Sequence, residues 1–173
     1  MTDSSCSRRR VLSATAAALA AGALASGASA QDAAKDDKIK ILAISGSARK
    51  GKTTAAGLQA VLEAAKAVSP AVEVELIELS GMKFEPPGSK AADDFEVLAA
   101  KLTDPKVAGI VLGSPTYFAN MSGLMKSFLD KWTVFRKGFA LKDKVAASLA
   151  VGGARNGGQE LVNESMKCVL MSM

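Results

Sequence analysis

From residue 39 onward, short apolar runs alternate with amphipathic stretches. Ile39-Lys-Ile-Leu-Ala-Ile44 is mostly apolar, the pattern of a strand buried on both faces of a sheet. Residues 54–68 place Leu58, Val61, Leu62 and Ala65 on one helical face, and Pro70 stops the helix. Val72-Glu-Val-Glu-Leu-Ile-Glu-Leu79 predicts a second strand; its alternation suits a position nearer the sheet edge. Residues 80–92 read as a long irregular connection, with Gly81, Pro86, Pro87 and Gly88. Phe95, Leu98, Ala99 and Leu102 recur at helical spacing. Val107-Ala-Gly-Ile-Val-Leu112 predicts a third strand, and Met121, Leu124, Met125, Phe128, Leu129 and Trp132 predict a third helix. Residues 144–151 predict a fourth strand, followed by a glycine-rich loop and a fourth helix over 159–170. Strict strand–helix alternation predicts an α/β fold, a parallel sheet sandwiched between two helical layers.

The first 30 residues follow a different pattern. Ser7-Arg-Arg-Arg-Val-Leu12 is basic, an Ala-rich and weakly apolar run reaches about Gly27, and Ala28-Ser29-Ala30 is a small-x-small cleavage site. This stretch is expected to be an export signal, with Gln31 starting the mature chain. Its composition is too weakly apolar for a permanent membrane helix. The paired arginines resemble a twin-arginine signal, which implies export in the folded state to the periplasm. Residues 31–38 are charged and read as a flexible lead-in to one domain over 39–173.

Charge and composition narrow the chemistry. The chain has 22 Lys and Arg against 17 Asp and Glu, and no histidine. Removing residues 1–30 takes away Arg8, Arg9, Arg10 and Asp3, leaving 19 basic against 16 acidic residues. That small excess, scattered along the sequence, is no nucleic-acid footprint. Without histidine there is no His-based triad, His metal site or His general base. Beyond the leader, Cys168 stands alone, so neither an internal disulfide nor a Cys-ligated metal site can form within the mature chain.

Three loops at strand ends carry the candidate chemistry. Gly46-Ser-Ala-Arg-Lys-Gly-Lys-Thr53 fits G-x-x-x-x-G-K-[ST], the phosphate loop of nucleotide triphosphatases. Its glycines and the helix start behind it suit any phosphate. Ser45, Ser47, Thr53 and Thr54 offer hydroxyls, and Arg49 a charge-assisted pair. A triphosphatase also needs an acidic metal ligand ending a later apolar strand, and strands three and four end without one. The second loop, Gly113-Ser-Pro-Thr-Tyr-Phe-Ala-Asn120, offers Pro115 for stiffness and Tyr117 and Phe118 for packing on a flat ring. The third, Gly152-Gly-Ala-Arg-Asn-Gly-Gly158, allows close backbone approach and carries Arg155.

Taken together, "ILAISGSARKGKTT", "GIVLGSPTYFANMSGLMKSFLDKW" and "GGARNGGQE" resemble the flavodoxin-like NAD(P)H-dependent FMN reductase superfamily, in its quinone-reductase and iron–sulfur flavoprotein branches. The resemblance covers Ile39 to Cys168. It implies a flavodoxin-like three-layer sandwich with sheet order 2-1-3-4, to which such a fold adds a fifth strand not visible in this sequence. It also implies non-covalent FMN. The phosphate would lie on Ser45, Ser47, Arg49, Thr53 and Thr54. The ring would lie on Pro115, Thr116, Tyr117, Phe118 and a Gly152–Gly158 loop contributing Gly152, Gly153, Arg155 and Gly157. Lys52, the residue completing the triphosphatase pattern, would at most assist the phosphate electrostatically. Iron–sulfur flavoproteins carry closely spaced cysteines between strand two and helix two; residues 80–92 here contain none. That segment is expected to cover the flavin or contact a second subunit in a homo-oligomer. The implied activity is electron transfer from NAD(P)H or another donor to a quinone, flavin or similar acceptor. A flavodoxin-type electron carrier and a phosphate-loop ATPase or kinase are the alternatives.

Overall fold

The computed structural model describes residues 38–173. The expected leader, its cleavage point and residues 31–37 of the lead-in lie outside the described residues. Strands β1 (Ile39–Ser45), β2 (Val72–Glu78), β3 (Val107–Tyr117), β4 (Asn120–Met121) and β5 (Val145–Val151) alternate with helices α1 (Thr53–Val68), α2 (Phe95–Leu102), α3 (Gly123–Asp130) and α4 (Gln159–Leu170). A 3₁₀ helix, Lys131–Arg136, extends α3.

The parallel order is β2-β1-β3-β5, the flavodoxin-like order expected for the first four parallel strands. The alternating strand β2 lies at an edge, as its sequence pattern predicts. Among the described residues β5 forms the other edge, with Val145 76% exposed. The registers set the site: Ser45 pairs with Glu78 and with Gly113, while Pro115 pairs with Val151. The carboxyl ends of all four parallel strands therefore open on the same side.

The two faces of the sheet are covered unequally. On one, Leu58 and Leu62 of α1 pack with Ala43 and Val111. On the other, α2, α3, the 3₁₀ helix and α4 bury a larger cluster around Leu42, Ile44 and Leu112. Its centre is aromatic: Phe128 meets Trp132 edge-on at 5.7 Å and Phe95 at 5.9 Å. Trp132 and Phe128 are fully buried, and truncating such a ring costs about 3–5 kcal/mol.

The structure departs from the sequence-based expectations in two places. β3 runs on through Tyr117, past the expected end at Leu112, because β5 pairs with it as far as Pro115 and β4 folds back on Thr116 and Tyr117. The third helix starts at Gly123 rather than Met121, which belongs to β4; the Ser122 hydroxyl caps it by accepting the Met125 N–H at 3.0 Å.

The connection from Ser80 to Asp94 is also more ordered than its glycines and prolines suggest. Met82 and Phe84 pack on the core. Asp93 Oδ2 accepts from the Glu85 N–H at 3.1 Å, its Oδ1 from the Phe95 N–H at 3.1 Å, and Lys131 Nζ pairs with Oδ2 at 2.7 Å. Lys131's hydrogen bond, opposed by burial and helped by these two amides, holds the Asp93 carboxyl below its ordinary range.

Candidate functional site

A cleft of about 220 Å³ opens where β1, β3 and β5 end. This is the position at which open α/β sheets bind ligands. A larger hollow, about 480 Å³, lies beside Ser89–Glu96 and Lys131, but it gathers no strand ends.

The phosphate-loop side is the more constrained. Gly46 N–H donates to Gly113 O at 2.7 Å, and the buried Ser122 hydroxyl donates to Gly46 O at 2.6 Å. Ser122 N–H in turn donates to Ser114 Oγ at 2.9 Å, so first and second loops share one buried network. Gly46 has no room for a side chain: a Cβ there would meet Met125 Cβ at 2.6 Å. Gly51 takes φ +65°, a conformation that favours glycine. Beyond it, Thr53 and Thr54 open α1, so their N–H groups have no intrahelical partner and face the positive end of the helix dipole. Arg49 and Lys52 stand at the same end of the cleft.

The opposite side is formed by a tight hairpin and a glycine-rich loop. Phe118 and Ala119 take φ +50° and +59°, the left-handed pair required by a two-residue type I′ turn. Tyr117 is 50% exposed and Phe118 fully so. Ala119 packs where a Cβ on Gly158 would fall, 2.5 Å away. Gln159 folds the third loop back through its Nε2, which donates to Ala154 O at 2.7 Å.

Of the residues expected from the sequence, Ser47, Arg49, Thr53, Thr54, Pro115, Thr116, Tyr117, Gly152 and Gly153 line this cleft. Ser45, Phe118, Arg155 and Gly157 do not line it: Ser45 is fully buried at the loop's root, while Phe118 is fully exposed beside the cleft. Residues 80–92 do not line it either. Val151, which lines the cleft, was absent from the expected set, and Lys52, given at most an electrostatic part, also lines it. Glu78 was also missed; its carboxylate accepts the Gly51 N–H at 2.7 Å. Its signal was positional: it is the last residue of a strand paired beside Ser45.

The model of the NADPH-dependent FMN reductase family matches residues 39–173. The chain belongs to this family. It is 34% identical over 139 residues to an iron–sulfur flavoprotein of Methanosarcina thermophila, covering 74% of this chain and 71% of that one. It is 35% identical over 134 residues to an iron–sulfur flavoprotein of Methanocaldococcus jannaschii, covering 70% and 66%. Among solved structures, the apo form of an NADH:FMN oxidoreductase matches with a TM-score of 0.62 and 28% identity, over 78% of this chain and 69% of that one. The chain thus spans about two thirds of these relatives' length.

The residues present fit the family's flavin. Thr116, which lines the cleft, has a buried hydroxyl without a partner among the described residues. Gly153 lines the cleft, and a Cβ there would meet none of the described residues within 4 Å, which leaves its backbone open on that side. Unpaired helix N–H groups and two cations at one end, with a proline and a tyrosine at the other, match a phosphate joined to a flat ring.

Proposed function

We propose that this chain binds FMN non-covalently in the strand-end cleft. There it passes electrons from NAD(P)H, or another small donor, to a quinone, a second flavin or a similar acceptor. The observation that carries this reading is the convergence of three loops on one cleft with an anion-binding end and a ring-binding end. Bound FMN supplies the redox chemistry, accepting hydride and releasing electrons. The chain's own residues bind and orient. Thr53, Thr54 and Ser47 donate to the phosphate, with Arg49 and Lys52 balancing its charge. Pro115 and Tyr117 hold the ring, and Thr116 and the Gly152–Gly153 backbone contact its polar edge. No protein acid or base is needed for hydride transfer to a flavin.

The phosphate-loop ATPase alternative is weaker, because β3 and β5 end without an acidic residue and Glu78, the acid beside the loop, is engaged by the Gly51 N–H. The basic Ala-rich leader favours a periplasmic place of action in this proposal, by the twin-arginine route. Cell fractionation with the leader arginines Arg8 and Arg9 replaced by lysine checks it; unchanged export would remove that part.

The activity is tested with the purified chain saturated with FMN and mixed anaerobically with NADPH or NADH. Loss of the flavin band near about 450 nm, and its return on adding a quinone, is expected. Uptake of FMN with no reduction by either nicotinamide would favour the electron-carrier alternative. No uptake by a folded sample would overturn the flavin reading.

A further inference from the structure

The geometry points to Glu78 as a positioning residue of the phosphate-binding loop, holding its outer limb in the shape that a phosphate group meets. This inference rests on the FMN reading of the cleft.

The loop between β1 and α1 has two limbs with different supports. The inner limb is anchored in the sheet through Gly46, by Gly113 and Ser122. The outer limb, Ala48 to Gly51, is exposed and has no strand beside it. Within it, the Arg49 N–H donates to Ser47 Oγ at 3.1 Å, a purely local turn. Two longer ties reach it from the end of β2. The Gly51 N–H donates to Glu78 Oε2 at 2.7 Å, and Ser80 Oγ donates to Ala48 O at 2.8 Å. The parallel pairing of Ser45 with Glu78 brings these side chains beside the loop.

The Gly51 tie has the greater leverage. It fixes a left-handed glycine directly before Lys52, Thr53 and Thr54, the residues that bring the helix N–H groups to the cleft. Ordering an exposed glycine-containing loop at the moment of binding opposes affinity, and pinning it beforehand removes part of that loss. A carboxylate is otherwise a poor choice next to an anion site, since its charge acts against a phosphate. The loop itself carries three basic residues, Arg49, Lys50 and Lys52. What Glu78 contributes is therefore its acceptor geometry, and the two properties can be separated by substitution.

The experiment compares the wild-type chain with Glu78→Gln and Glu78→Ala. Each is titrated with FMN and with riboflavin, which lacks the phosphate, and Gly51 amide exchange is followed by NMR in the ligand-free proteins. Urea unfolding confirms that each variant is folded. Glu78→Ala is expected to weaken FMN about tenfold, the worth of one hydrogen bond that pre-orders the loop, and to leave riboflavin unchanged. Glu78→Gln keeps an acceptor and drops the charge, so it should bind FMN at least as tightly as wild type. Gly51 exchange should accelerate about tenfold in the alanine variant and not in the glutamine variant. Equal FMN affinity in all three proteins, equal losses for both flavins, or a glutamine variant as weak as the alanine one would each overturn the inference. If wild type takes up no FMN, the flavin reading fails. Gly51 exchange then decides the positioning role alone: acceleration in Glu78→Ala supports it, and no change overturns it.

Discussion

At the phosphate-loop end of the cleft, the backbone is tied from three directions: from β3 through Gly113, from the start of α3 through Ser122, and from β2 through Glu78 and Ser80. At the other end, Phe118 stands fully exposed on a left-handed turn, and Gly152 to Gly157 are exposed. The first end suits a group that never varies, a phosphate. The second leaves an aromatic side chain and a glycine-rich backbone open to solvent beside the cleft.

The largest expected effect comes from breaking the fixed end at its root. Gly46→Ala drives a methyl into Met125, whose Cβ and Cα would lie 2.6 and 3.3 Å away. Overpacking of this kind should destabilise the chain by about 3 kcal/mol, read as a lower urea midpoint, and abolish flavin uptake at micromolar protein. Wild-type uptake in this variant would mean that the loop root is softer than its contacts indicate. Ser122→Ala comes next. It removes the helix cap and leaves Gly46 O without its buried donor, for a loss of about 2 kcal/mol. Its FMN affinity should fall more than its riboflavin affinity.

Asp93→Asn separates the cleft from the rest of the domain. The pair with Lys131 lies outside the cleft, so flavin affinity should not change while stability does. The sign of its pH dependence follows from the lowered carboxyl pKa. The contribution is fully present above the ordinary Asp value, about 3.9, and is lost as pH falls through the lower folded value. Wild type should therefore lose stability in acid more steeply than the variant. Parallel acid-unfolding curves for the two proteins would contradict this.

The smallest effect is a gain at the open end. Ala119→Gly relieves a non-glycine residue at φ +59°. It should leave stability unchanged or raise it by up to about 1 kcal/mol, because the relief of left-handed strain is offset by greater freedom of the unfolded chain. Thermal melts give the value, and a clear loss would mean that the Ala119 methyl's contact with Gly158 holds the hairpin.

The alternation of strands and helices was legible because β1, the first half of β3 and β5 are mostly apolar runs, β2 alternates apolar and acidic residues, and each helix shows its apolar face. The edge position of β2 could be read from its glutamates. The alternation does not reveal what those glutamates meet: Glu75 pairs with Lys40 and Lys101, and Glu78 holds Gly51. Such cross-strand and strand-to-loop partners depend on register, which no local pattern encodes. The β3–β4 hairpin was hidden for a related reason: a type I′ turn usually announces itself as Asn-Gly, and here Phe118-Ala119 occupies it. The three loops at the strand ends were visible as glycine, proline and aromatic clusters. Which of their residues face the cleft was not, since Phe118 and Arg155 carry the right chemistry and do not line it.

The central claim is that the strand-end cleft holds FMN through its phosphate, and the most direct measurement is a pair of titrations. Flavin fluorescence is followed as the purified chain is added to FMN and, separately, to riboflavin. FMN is expected to bind on the order of a hundredfold more tightly, the worth of two to three charge-assisted hydrogen bonds. Equal affinity for the two flavins, or no binding of either by a folded sample, would contradict it.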